Sequence, residues 1–173
     1  VITNIAGTDK ATSVAVQTDG KIVAVGESSG AFAIARYNSD GSLDTSFDGD
    51  GTAVSPGMTR GNSVAVQADG KLLAVGETGS DFALIRYNAN GTLDTSFDGD
   101  GKVSTSVTPQ TDVGKSVILL PDGAIIAAGY GQTESGLDFA LIKYNTDGSL
   151  YPAFGIDGKV ITDYGNQACS AQA

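Results

Sequence analysis

The chain is 173 residues long and 40% hydrophobic, with a formal net charge of −10 and no histidine, so it is large and apolar enough to bury a core. Its acidity excludes the basic stripe that nucleic acid demands and gives no attraction to an anionic membrane surface. No apolar run approaches the roughly 20 residues needed to span a bilayer as a helix.

Residues 1–12 read as an N-terminal strand and linker. The chain starts at Val1 rather than Met and carries no charged-apolar-small leader, so the expectation is a processed protein or a fragment. From Ser13 onward one unit is written three times: repeat 1 over 13–62, repeat 2 over 63–115 and repeat 3 over 116–165, with a tail at 166–173. In repeat 1, Ser13 to Gln17 is a short apolar run, Thr18-Asp19-Gly20 a turn, and Lys21 to Gly26 a β-branched run. Asp-Gly between two such runs predicts an antiparallel hairpin. A polar link, Glu27 to Gly30, leads to a third strand, Phe32 to Tyr37. Asn38-Ser39-Asp40-Gly41 then breaks the chain, because these residues tolerate positive φ. An irregular stretch carrying Leu43 and Phe47 ends at Asp48-Gly49-Asp50-Gly51, which releases a fourth strand, Thr52 to Ser55.

The other copies run in step, with strands at Lys71 to Gly76, Phe82 to Tyr87 and Lys102 to Thr105 in repeat 2. Repeat 3 has them at Ala124 to Gly129, Phe139 to Tyr144 and Lys159 to Thr162. Its longer link, Tyr130 to Asp138, is expected to be a surface loop on one rim. The tail holds the single cysteine, Cys169, so no disulfide can form within one chain; an unpaired thiol or an attachment point are the two readings of it.

Four antiparallel strands per repeat is the format of a β-propeller blade, and near-continuous apolar strands suit blades covered on both faces. A parallel β-solenoid is the rival, but Asp-Gly hairpins contradict parallel pairing. Small residues in the second strand (Ala24, Gly26, Ala74, Gly76, Ala127, Ala128, Gly129) suit crowding near an axis. The expected class is therefore all-β, with three propeller-like blades of four antiparallel strands. Three blades cannot close a ring, so completion is expected from oligomerisation or from a longer parent chain. Val1-Ile2-Thr3 restates Val160-Ile161-Thr162, and these six residues are the assembly candidates. Two chains joined head to tail would make a six-bladed ring, and a rotation that fails to close would make a filament. Other domains of a larger chain are the remaining partner class.

The blocks DGKIVAVG, DFALIRYN, DGSLDTSF and GKV resemble the delta-60 repeat, a bacterial β-propeller repeat of unknown function. The resemblance runs from Ser13 to Thr162, with departures at Ala31, Ala124 and Tyr151. It implies a secreted or surface-exposed bacterial protein, often part of a multidomain chain, and it implies no catalytic residues.

Two small-ligand readings stand beside the scaffold. Asn38, Asp40 and Asp44, with Asn88, Asn90 and Asp94, look like shortened calcium loops, in which alternate oxygens converge on a hard cation around a glycine turn. Arg36, Arg86 and Lys143 hold the first-ligand position, so the other reading is turn-forming Asx residues with local ion pairs, the cation standing in for the metal and pairing either with Asp44 and Asp94 or with the aspartates of Asp48-Gly49-Asp50 and Asp98-Gly99-Asp100. Tyr37, Tyr87 and Tyr144 recur at one place and read either as a sugar-stacking platform or as packing between blades. Asn90-Gly91-Thr92 fits a glycosylation acceptor inside a tight turn. Catalysis has little to stand on: without histidine, and with one tail cysteine, neutral-pH proton shuttles, acyl-transfer constellations and thiolate or imidazole zinc sites lack their residues. The expectation is a non-enzymatic, extracellular or cell-surface scaffold that self-associates and needs no cofactor, with a calcium- or carbohydrate-binding module as the alternative.

Overall fold

The computed structural model describes residues 2–163, so Val1 and Cys169 lie outside the described residues. Among the described residues, twelve strands form three four-stranded antiparallel sheets, each in plain sequence order. Blade 1 holds β1 (Asp9–Val16), β2 (Ile22–Ser28), β3 (Ala31–Tyr37) and β4 (Thr52–Ser55). Blade 2 holds β5 (Arg60–Val66), β6 (Leu72–Glu77), β7 (Phe82–Tyr87) and β8 (Lys102–Thr105). Blade 3 holds β9 (Asp112–Leu119), β10 (Ile125–Thr133), β11 (Gly136–Tyr144) and β12 (Lys159–Thr162). The all-β, blade-by-blade architecture expected from the repeats is the one observed.

The turns follow from their residues. Gly20 has φ of 81°, and the Gly20 N–H donates to the Gln17 carbonyl at 2.9 Å while Gln17 N–H donates to Lys21 at 2.8 Å. Asp19 Oδ1 accepts from Lys21 N–H, the Asx contact that fixes such a turn. Two differences from the sequence expectation concern length. The first strand of each blade begins earlier than the apolar run, at Asp9, Arg60 and Asp112, so the repeat boundaries at 62/63 and 115/116 fall inside β5 and β9. Polar side chains there hid a strand whose pairing is backbone-made, across a register shift near Thr12, Asn62 and Lys115. In repeat 3, the expected loop Tyr130 to Asp138 is instead strand: β10 and β11 pair out to Thr133↔Gly136. The insertion lengthens a hairpin, which satisfies its backbone groups in a way that an open loop would not.

The blades stack face to face with their first strands adjacent around the inner side, β1 beside β5 and β5 beside β9. Side chains alternate, so every blade has a forward face toward the next blade and a rear face toward the preceding one. Between blades 1 and 2, the forward-face Val23, Val25, Phe32, Ile34 and Phe47 meet the rear-face Val64, Leu72, Ala74, Ile85 and Tyr87. Between blades 2 and 3, Leu73, Val75, Phe82, Leu84 and Phe97 meet Val117, Ile125, Ala127, Ile142 and Tyr144. Fully burying one such large side chain contributes about 1.5–3 kcal/mol. Glycine makes the stack close enough: a Cβ on Gly61 would lie 2.5 Å from the Phe32 ring.

Candidate functional site

The acidic turns resolve into ion-pair clusters. Asp44 Oδ2 accepts from Arg36 Nε at 2.7 Å and from Lys21 Nζ at 2.7 Å, and its Oδ1 accepts from Ser46 Oγ at 2.6 Å. Asp94 repeats this with Arg86 Nε at 2.6 Å, Lys71 Nζ at 2.8 Å and Ser96 Oγ at 2.7 Å. Lys21 and Ser46 hold the Asp44 carboxyl well below the usual carboxylate range. Burial alone would push Asp94 up, but Lys71, Ser96 and Arg86 outweigh it and hold it equally low. Each cluster is also a latch between blades. Arg36 Nη1 donates to Ala89 O and Arg86 Nη1 to Thr146 O in the following blade, while the guanidinium carbons lie 4.7 Å above Phe47 and 4.4 Å above Phe97.

The remaining calcium-loop candidates are spent on their own turns. Asp40 Oδ1 and Asn90 Oδ1 accept from the backbone and hydroxyl of Ser42 and Thr92. Asn38 and Asn88 donate through Nδ2 to the Leu43 and Leu93 carbonyls, presenting a donor where a cation requires oxygen. Among the described residues no group of three or more His, Cys, Asp or Glu converges on a metal position.

In blade 3 the whole cluster is exchanged: Ala124, Lys143, Tyr151 and Ala153 stand in the places of the Lys, Arg, Asp and Ser. Lys143 Nζ lies 4.2 Å above the Tyr151 ring, a cation–π contact in place of the ion pair. Replacing the acid alone, opposite a buried arginine such as Arg36 or Arg86, would strand that cation.

The three tyrosines separate. Tyr87 and Tyr144 are buried between blades: the Tyr87 ring lies 6.1 Å from that of Phe32, and Tyr144 Oη donates to Thr105 Oγ1 at 2.9 Å. Both ring faces are occupied by protein, leaving no room for a sugar ring. Burial raises both phenol pKa values well above the ordinary range, for Tyr144 against the opposing effect of the hydrogen bond it makes to Thr105. Tyr37 is half-buried and faces outward on blade 1.

Tyr37 meets the N-terminal segment. Its Oη donates to Thr3 Oγ1 at 2.8 Å, the bond that Tyr144 makes to the last residue of β8. The residues after Thr3 are folded as an interblade link. Asp9 accepts from Ile5 N–H and Ala6 N–H, as Asp112 accepts from Val107 N–H and Thr108 N–H in the link before blade 3. Residues 2–8 thus take, against the rear face of blade 1, the place that a preceding blade's strand end and link take elsewhere. They roof a cavity of about 220 Å³ lined by Ala24, Ala33, Ala35, Lys10, Glu27 and Tyr37. Val160, Ile161 and Thr162 lie in β12, paired with β11 through Leu141, Ala140 and Phe139. The structure therefore joins two candidate sets, Thr3 with Tyr37, that the sequence kept apart. It adds Asp9 and Asp112, acids that stand six residues after Thr3 and seven after Thr105.

Repeated four-stranded blades, packed face to face along their inner strands, define a propeller-type repeat protein. The chain belongs to the family described as "Domain of unknown function (DUF5122) beta-propeller", whose model matches residues 17–47, 67–97 and 120–154. Each matched span ends on Phe47, Phe97 or Phe154, the aromatic of the acidic turn. No curated protein matches the chain. Among solved structures, it is similar to a provisionally assigned gluconolactonase at 15% identity and TM-score 0.46, with 90% of this chain aligned. The chain spans about half the length of that protein, 48%. It is also similar to a fucose lectin from Kordia zhangzhouensis in complex with methyl-fucoside at 12% identity and TM-score 0.44, with 88% of this chain and 98% of that one aligned.

Proposed function

We propose that this chain is a non-enzymatic scaffold module of the delta-60 type, secreted or surface-exposed in a bacterium, that self-associates through the faces of its end blades. One observation carries the reading: equivalent valines have opposite fates. Val64 and Val117 are 8% and 6% exposed beneath the preceding blade, whereas Val14 on blade 1 is 65% exposed. An apolar face designed like its buried counterparts but left open favours a partner. Light scattering over a dilution series, with reductant to silence Cys169, tests this: a mass that rises with concentration is expected, and a monomer at every concentration would refute it.

A carbohydrate-binding reading is favoured by one feature only. Of the three tyrosines, Tyr37 alone keeps an open edge, above the 220 Å³ cavity. Saturable stabilisation by a glycan, lost in Tyr37→Ala, would support it. No cofactor enters either reading.

A further inference from the structure

Building on the self-associating scaffold, we propose that the rear face of blade 1 receives blade 3 of a second copy, and that residues 2–4 hold the seat of its fourth strand until docking displaces them. The two interblade joints already present supply the template. At each joint the forward blade offers donors from two places. The first-strand irregularity gives Thr12 to Gly61 O and Asn62 Nδ2 to Gly114 O. The third strand gives Arg36 to Ala89 O and Arg86 to Thr146 O. Blade 3 carries a donor at both equivalent places, Lys115 and Lys143, each resting over a tyrosine of its own blade. The matching acceptors on blade 1 are the carbonyls of Ala11 and Ser39. Lysine's long stem can leave its ring and reach them.

The apolar surfaces correspond as well. Leu141 is 37% exposed on the forward face of blade 3, while its equivalent Leu84 is fully buried at the joint with blade 3. Blade 1 departs from the other receiving faces at two positions that offset each other. Ala11 stands where Gly61 and Gly114 lie beneath a phenylalanine, and Ala35 stands where Ile85 and Ile142 lie. An incoming Phe139 thus loses room at Ala11 and gains it at Ala35, on the wall of the 220 Å³ cavity.

The conflict is at Tyr37. Thr3 occupies its hydroxyl at 2.8 Å, in the position that Thr162 of an incoming blade would take. One hydroxyl proton cannot serve both. β12 is paired with β11 at four positions, whereas residues 2–4 belong to no strand. The segment without a ladder gives way, because the ladder's hydrogen bonds would otherwise be lost.

The test is sedimentation velocity on the full chain, on a chain lacking residues 1–4, and on that truncation carrying Leu141→Arg. If the seat is filled about nine-tenths of the time, removing its occupant tightens self-association about tenfold. Leu141→Arg, placed on an already exposed side chain, should abolish the gain while leaving the melting temperature of the monomer unchanged. An unchanged or weaker affinity in the truncation would overturn the placeholder while leaving self-association standing. Undiminished association in the Leu141→Arg truncation would show that blade 3 is not the partner surface. If neither the full nor the truncated chain associates, the scaffold reading falls with it.

Discussion

Replacing Asp94 by alanine probes the reasoning most directly. The Asp94 and Arg86 side chains are each 7% exposed, and the pair is closed by Lys71 and Ser96. Arg86 is tied on its far side to the carbonyl of Thr146 and cannot turn to solvent without opening the joint between blades 2 and 3. Removing the carboxylate leaves a buried cation unpaired, which costs about 3–5 kcal/mol. For a chain of this size, 1 kcal/mol moves the melting temperature by about 2–4 °C, so the expected loss is about 6–20 °C. The double variant Arg86→Met/Asp94→Ala removes both charges and should be more stable than Asp94→Ala alone, despite losing the latch to Thr146. Circular dichroism during urea and thermal unfolding measures both. The acid limb gives an independent check. Asp94 has a folded pKa below its unfolded value near 3.9, so its stabilisation is present above about pH 4 and is lost as pH falls further. The variant should lose that share of the acid slope and keep the share of Asp44. A single variant within about 1 kcal/mol of the parent, or a double variant less stable than Asp94→Ala, would refute the stranded-charge argument.

Three further outcomes are expected. On raising the pH, ultraviolet titration should show Tyr87 and Tyr144 staying protonated past about pH 10. Their raised folded pKa values contribute stability below that pH that is lost above it, so they should ionise only with unfolding; six tyrosines titrating together in the folded protein would contradict their burial. Gly76→Ala places a Cβ 1.8 Å from the Arg60 carbonyl oxygen, whereas Gly61→Ala meets a ring edge at 2.5 Å. The first should prevent folding, because backbone cannot yield. The second should cost about 1–3 kcal/mol in a denaturant titration. Finally, millimolar chelator should leave the melting temperature unchanged, because Asp44 and Asp94 are saturated by protein donors; a drop reversed by calcium would reinstate the loops as metal sites.

Much of this molecule was legible without coordinates, because its determinants are local. Asp-Gly pairs bend the chain wherever they occur, β-branched runs extend it, and three copies of one pattern must become three copies of one sheet. The fourth strands beginning at Thr52, Lys102 and Lys159 have the bounds that the glycine clusters before them predict. Charge alone points Arg36 to a nearby acid, Asp44 or the pair Asp48 and Asp50, and the tertiary structure selects Asp44. The starts of β1, β5 and β9 were not legible. Their pairing is made by backbone groups that polar side chains neither announce nor forbid, and the same holds for the lengthened hairpin of blade 3.

What only the tertiary structure decided is which member of each repeated set remains open. Tyr37, Tyr87 and Tyr144 are indistinguishable in sequence, as are Val14, Val64 and Val117. Position in the stack buries two of each beneath a neighbouring blade and leaves Val14 exposed and Tyr37 half-buried. Burial depends on what lies on the other side of a face, and no residue encodes its own neighbour. The repeat thus determined the blade, and the order of stacking determined the site.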